Sequence, residues 1–98
     1  MIYFVVDLTG FTFEIIKMIE IKNKAGEVIY VVDADSLEGV NLAGVNLQQA
    51  NLSKANLKGS NLEGVNFKKA KLNKVNLMGA NLQNAYMFDA YLEDADIS

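Results

Sequence analysis

Val40-Asn41-Leu42-Ala43-Gly44-Val45-Asn46-Leu47-Gln48-Gln49-Ala50-Asn51-Leu52-Ser53-Lys54 holds the same five-residue unit three times over. The unit continues in both directions. A large apolar residue returns at Leu37, Leu42, Leu47, Leu52, Leu57, Leu62, Phe67, Leu72, Leu77, Leu82, Met87, Leu92 and Ile97, thirteen times without a slip. Two residues before each, from Val40 to Ala95, sits a small residue, and the position between them is usually Asn. A period of five matches neither the helical period of roughly 3.6 nor the strand period of about 2, so no single regular element keeps all these side chains on one side. The chain has to turn within every unit. This pattern predicts a solenoid of very short extended pieces joined by tight turns, with the large and the small residue pointing in and the others out.

The glycines indicate how many units close a coil. Gly39, Gly59 and Gly79 form one series spaced by twenty; Gly44 and Gly64 form a second, continued by Asn84. Asn is the usual substitute where a turn needs positive φ, as the third residue of a type II turn does. The equivalent positions Gln49, Lys69, Asp89 and Lys54, Lys74, Asp94 are never glycine. The expectation is therefore two kinds of turn in a twenty-residue cycle, with four units per coil, a square cross-section and residue n lying over residue n+20.

Tandem Ala-(Asn/Asp)-Leu-x-x units, here Ala50-Asn51-Leu52-Ser53-Lys54 and Ala55-Asn56-Leu57-Lys58-Gly59, resemble the pentapeptide-repeat family over about two-thirds of the chain. The resemblance implies an all-β fold, a right-handed quadrilateral parallel β-helix, here of about three coils. Departures from the pattern are Asp35 at the first small-residue position, Lys71, Tyr86 and Tyr91 where Asn is usual, and Met87 at a centre.

Residues 1–34 lie outside the repeat and read as a small β cap on a helix formed by residues 35–98. Ile19-Glu20-Ile21-Lys22 and Glu27-Val28-Ile29-Tyr30 predict a hairpin around Asn23-Lys24-Ala25-Gly26. From Phe11 to Met18, alternation of Phe11, Phe13 and Ile15 suits a strand, while Phe13, Ile16 and Ile19 also suit a helix face; strand is favoured. Apolar side chains of this segment are expected to cover the open end of the first coil and block edge-to-edge growth there.

Composition excludes several classes of function. The 98 residues contain neither Cys nor His, which removes disulfides, thiolate and imidazole metal sites and the commonest general base. No cofactor is expected. The apolar start Met1 to Val6 lacks a basic preceding region and no run approaches a membrane span, so the expectation is a soluble cytoplasmic protein. Glu93, Asp94 and Asp96 are the remaining acid–base candidates, but they fall at outward positions of a convex solenoid with nothing to orient them.

Lys68, Lys69, Lys71 and Lys74, with Lys54 and Lys58 a coil earlier, could bind phosphates; the twenty-residue register instead sets Lys69 under Asp89 and Lys74 under Asp94, predicting a ladder of solvated ion pairs. The Asn columns, such as Asn41, Asn61 and Asn81, read as amide ladders that satisfy one another and the turns.

The last coil differs. Tyr86, Phe88 and Tyr91 stand where small or polar residues are usual, with Asp89 and Asp94 beside them, and an exposed aromatic cluster marks a cap or an interface. The expected function is a non-catalytic, rigid protein-interaction or scaffold module for an unidentified protein, with a homodimer through the C-terminal coil as one form of contact. Direct binding to nucleic acid or membrane is not expected. The family resemblance implies one alternative, a DNA-mimicking regulator of DNA gyrase. Against it, residues 35–98 hold seven acids and six lysines, far from the uniform acidity of a duplex.

Overall fold

In the computed structural model, which describes residues 2–7 and 12–98, the five-residue units wind into a four-sided parallel β-helix of three coils. Successive coils pair at Asn41↔Asn61↔Asn81, Asn46↔Asn66↔Tyr86, Asn51↔Lys71↔Tyr91 and Asn56↔Asn76↔Asp96, all parallel and all twenty residues apart. From Leu42 to Leu77 the amide of each large inward residue donates to the coil that follows it, as in Leu42 N–H to the Asn61 carbonyl at 2.8 Å and Leu62 N–H to the Asn81 carbonyl at 2.8 Å. The return bond runs the other way, from Asn61 N–H to the Val40 carbonyl at 2.8 Å.

Ahead of the helix lie three strands, β1 (Ile2–Asp7), β2 (Thr12–Lys22) and β3 (Val28–Asp33), joined as an antiparallel meander in that order. Phe11 lies outside the described residues; from Thr12 on, the ambiguous stretch is strand, continuous with the hairpin arm. A bulge at Ile21/Lys22 precedes the turn, where Asn23 Oδ1 accepts from the amides of Ala25 and Glu27 at 3.0 and 2.9 Å. The hairpin tip is hydrogen-bonded to the third side of the first coil. Asn51 N–H donates to the Lys22 carbonyl at 2.7 Å and Lys24 N–H to the Gln49 carbonyl at 3.1 Å. Ile21 and Val32 belong to the same buried cluster as Leu37, Leu42 and Leu47, so the hairpin and the solenoid share one core.

That core is the column of large residues with the small residues between them. Leu42, Leu47, Leu52, Leu57, Leu62, Phe67, Leu72 and Leu77 are buried, with Ala50, Val65, Ala70 and Val75 beside them. Ser60, the one buried polar residue among those described, is satisfied by donating its hydroxyl to the Leu57 carbonyl at 2.6 Å. Burial fades along the last coil: Leu82 and Met87 are half-buried, Leu92 is 37% and Ile97 65% exposed, with no described coil over them.

The corners differ from the sequence expectation. Two kinds of turn do not alternate. Gly44 (φ 73°), Gln49 (62°), Lys54 (65°) and Gly59 (68°) are all left-handed, and so are Lys69, Lys74, Asn84, Asp89 and Asp94. Each corner closes with the same turn bond, as in Val45 N–H to the Leu42 carbonyl at 3.1 Å and Ala50 N–H to the Leu47 carbonyl at 3.0 Å. A positive φ at the third residue is the type II geometry, and the square therefore has four corners of one kind. Nor does space demand glycine: a Cβ added at Gly64 would come no nearer than 3.9 Å to the Gly44 backbone. A non-glycine residue accepts this conformation at about 1–2 kcal/mol, a cost the stacked coil overrides.

Asn has a definite task here. Oδ1 of Asn41, Asn46, Asn51, Asn56, Asn61, Asn66, Asn76 and Asn81 each accepts the amide two residues on, at 2.9–3.3 Å. Such Asx turns fix the approach to every corner they precede. Amide-to-amide ladder bonds are few by comparison, with Asn81 Nδ2 to Asn61 Oδ1 at 3.5 Å. Asp96 does the same work by accepting from the Ser98 hydroxyl and amide, bonds that hold its carboxyl below the ordinary aspartate range.

Uniform left-handed corners make opposite substitutions predictable. Lys74→Gly should raise stability by roughly 0.5–1 kcal/mol and Gly64→Ala should lower it by about 1 kcal/mol, measured by urea unfolding. A loss of stability at Lys74→Gly would mean that this corner is not left-handed in solution.

Candidate interaction surface

Three outward columns of the helix are polar until the last coil. On the second side the columns read Asn46, Asn66, Tyr86 and Gln48, Lys68, Phe88; on the third side one reads Asn51, Lys71, Tyr91. Tyr86, Phe88 and Tyr91 are 51%, 57% and 59% exposed. Replacing Asn by Tyr or Lys also removes the Asx acceptor, so the corners after Tyr86, Tyr91 and Lys71 form without it. Backbone pairing alone carries them, for example Phe67 N–H to the Tyr86 carbonyl at 2.7 Å.

The three rings do not form one cluster. Tyr86 and Phe88, two residues apart on one side, stack with centroids 6.3 Å apart and planes inclined by 26°. Tyr91 lies around the corner formed by Asp89 (φ 60°), and its ring faces Lys24 of the hairpin tip, with Nζ 4.8 Å from the centroid. Asp94 occupies the next corner (φ 59°). Lys24 was not legible as a site residue, since it lies outside the repeat register and reaches Tyr91 only because the hairpin tip is bound to the third side.

Below that contact an open groove of about 690 Å³ runs between Lys24, Lys71, Asn73, Tyr91 and Glu93. A smaller depression of about 530 Å³ on the other flank of Tyr91 adds Lys69 and Asp89. No cluster of His, Cys, Asp or Glu able to hold a metal occurs among the described residues. Among the described residues no helix is long and apolar enough to cross a membrane.

The charges of the helix are segregated by coil. The second coil, residues 60–79, holds four lysines and one glutamate, and the third, residues 80–98, holds four carboxylates and no lysine. Lys69 and Asp89 occupy consecutive corners of one column, as do Lys74 and Asp94. The expected ladder of ion pairs does not form among the described residues. Both members of each pair are exposed corner residues, and closing a pair in water gains little.

The model of pentapeptide repeats matches residues 36–68 and 60–98, in eight copies, which is the stretch that forms the coils. The chain belongs to the pentapeptide-repeat family. Its fold is accordingly the right-handed quadrilateral β-helix. Among solved structures it is similar to HetL, a pentapeptide repeat protein involved in heterocyst differentiation regulation in the cyanobacterium Nostoc sp. strain PCC 7120. Identity is 35% and the TM-score 0.58, over 59% of this chain and 28% of that one. The pentapeptide repeat protein Rfr23 of the cyanobacterium Cyanothece 51142 is 26% identical with a TM-score of 0.41, over 62% of this chain and 49% of that one. One from the Arabidopsis thaliana thylakoid lumen is 24% identical with a TM-score of 0.35, over 63% and 64% of the two chains. The chain thus spans less than a third of the length of HetL. No curated protein matches it.

The contact between Lys24 and Tyr91 is open to direct test. A double-mutant cycle with Lys24→Met and Tyr91→Leu should return a coupling of about 0.5–1 kcal/mol, the range for a cation over an exposed ring. Additive effects would show that the hairpin tip is held by its backbone bonds alone.

Proposed function

We propose that the chain is a non-catalytic, rigid protein-interaction module whose contact surface is the aromatic side of the terminal coil, Tyr86, Phe88 and Tyr91, edged by Asp89 and Asp94. The observation that carries this reading is the exposure of three large rings in columns that are polar in every earlier coil. None of the three fills the core, and two of them replace an Asn that would otherwise brace a corner. Large exposed rings rimmed by charge are the usual composition of an interface centre.

Rigidity supports the same reading. Every corner is closed by a turn bond, and up to the last coil the sides are also hydrogen-bonded to a neighbouring coil, so a partner meets a surface that needs no ordering on binding. HetL is involved in regulating differentiation, and a regulator that works by contact is what such a surface would serve. A DNA-mimicking action on gyrase is opposed by the four lysines of the second coil, which interrupt any continuous acidic face.

The test is cross-linked capture from a lysate of the source, using the wild type, a Tyr86→Ala/Phe88→Ala/Tyr91→Ala variant and a control altered on the first side, Asn61→Ala/Gln83→Ala. A protein captured by wild type and control but reduced at least about tenfold with the aromatic variant is the expected result, that being the scale of losing an interface anchor. Equal capture by all three would remove the aromatic side as the contact surface. Enrichment of gyrase subunits would replace this reading with the DNA-mimic one.

A further inference from the structure

The exposed Tyr86–Phe88 stack lies on the flat second side of the helix. One coil before it on the same side stand Asn66, Lys68 and Lys69; on the last coil stand Tyr86, Phe88 and Asp89. Register fixes the relation between the two rows: each residue of one lies twenty places before its counterpart in the other. The rows are chemically complementary. An ammonium corresponds to a ring at Lys68 and Phe88, an ammonium to a carboxylate at Lys69 and Asp89, and an amide to a phenol at Asn66 and Tyr86.

Within one chain this complementarity goes unused. Lys69 and Asp89 are both exposed, and no ion pair joins them among the described residues. Two copies placed side against side do use it. With the copies antiparallel and the two-fold axis running along the strand direction between the second and third coils, residue n of one copy meets residue n+20 of the other.

We infer that this side is a self-complementary docking surface for a second copy of the chain, with Lys69 of each copy paired to Asp89 of the other and Lys68 of each laid over the other's Phe88. The inference rests on the reading of the terminal coil as a contact surface and names its occupant. The chain already contains one contact of the required kind, Lys24 Nζ at 4.8 Å from the Tyr91 ring. A glycine corner, Gly64, borders the row of Lys68 and meets Asn84 of the second copy, so at that position only one of the two facing residues carries a side chain. End-to-end stacking of the last coils would instead cover Leu92 and Ile97 and leave Tyr86 and Phe88 in water, since these project from the side.

Two coils measure only about 10 Å along the axis at roughly 4.8 Å each. The contact is thus well below the roughly 800 Å² per partner of a standard interface, and association is weak and salt-sensitive. The second copy is favoured as occupant because both sets of groups are supplied by one sequence at one fixed spacing, and a C2 interface requires such self-complementarity.

Sedimentation velocity of the full chain over rising concentration tests this. A monomer–dimer equilibrium is expected, weakened about tenfold or more by high salt. Lys69→Asp and Asp89→Lys should each abolish dimers alone, while an equimolar mixture of the two variants should recover them, because every facing pair is then again one Asp and one Lys. Folding of the variants is not at issue, since Asp and Lys both occupy left-handed corners elsewhere, at Asp94 and Lys74, and circular dichroism confirms it. A monomer at all concentrations, dimers indifferent to the single changes, or failure of the mixture to recover them would each overturn the inference. The first of these combined with patch-dependent capture of another protein would leave the proposed function standing, so the two failures are distinguishable.

Discussion

From Leu42 to Leu77 the amide of each large inward residue donates to the carbonyl nineteen places on, in the coil above, as from Leu42 to Asn61, Leu47 to Asn66 and Leu52 to Lys71. Everything else in the helix depends on that bond. It sets residue n beneath residue n+20, which turns a one-dimensional repeat into columns and makes the chemistry of each column a property of sequence spacing. It also compels the corners. With only a few residues per side, the chain can satisfy the pairing on four sides only if each side ends in a sharp turn, and the turn that fits places its third residue in the left-handed region whatever that residue is.

The pattern of inward residues was legible because burial is the strongest constraint on a side chain and the period was unbroken; Leu42 through Leu77 follow it without exception. The twenty-residue cycle was also legible, though from a feature with a different meaning. Glycine at Gly44 and Gly64 and its absence at Gln49 and Lys69 read as two turn types, whereas the backbone is left-handed at all four. A cost of about 1–2 kcal/mol per non-glycine corner is small beside the coil's pairing and burial, so local preference gave way to the repeat. In the sequence Asn reads as both ladder and turn former. The turn role dominates because an acceptor two residues before a corner has a fixed local partner, while a ladder partner lies a full coil away on a mobile side chain.

The surface divides in the same way. Tyr86, Phe88 and Tyr91 could be singled out because they break a column, and a column is visible in the sequence once the period is known. Lys24 could not, because its contact with Tyr91 arises from how the hairpin tip is hydrogen-bonded to the first coil, and nothing local to Asn23-Lys24-Ala25-Gly26 encodes that. The ion pairs expected from column order failed for a related reason: sharing a column fixes backbones, not the ends of long exposed side chains. Membership of the pentapeptide-repeat family accounts for the helix and leaves the outward columns free to differ, which is where individual function resides in repeat folds.

The ladder itself can be measured most directly by amide hydrogen exchange resolved by residue. Amides of Leu57, Leu62, Phe67 and Leu72 donate to the following coil and should be the most protected. Those of Met87 and Leu92, which find no backbone acceptor among the described residues, should exchange far faster although they occupy the same position in the repeat. Equal protection at all of these positions, or protection that follows single units rather than coils, would contradict pairing between coils as the basis of the fold.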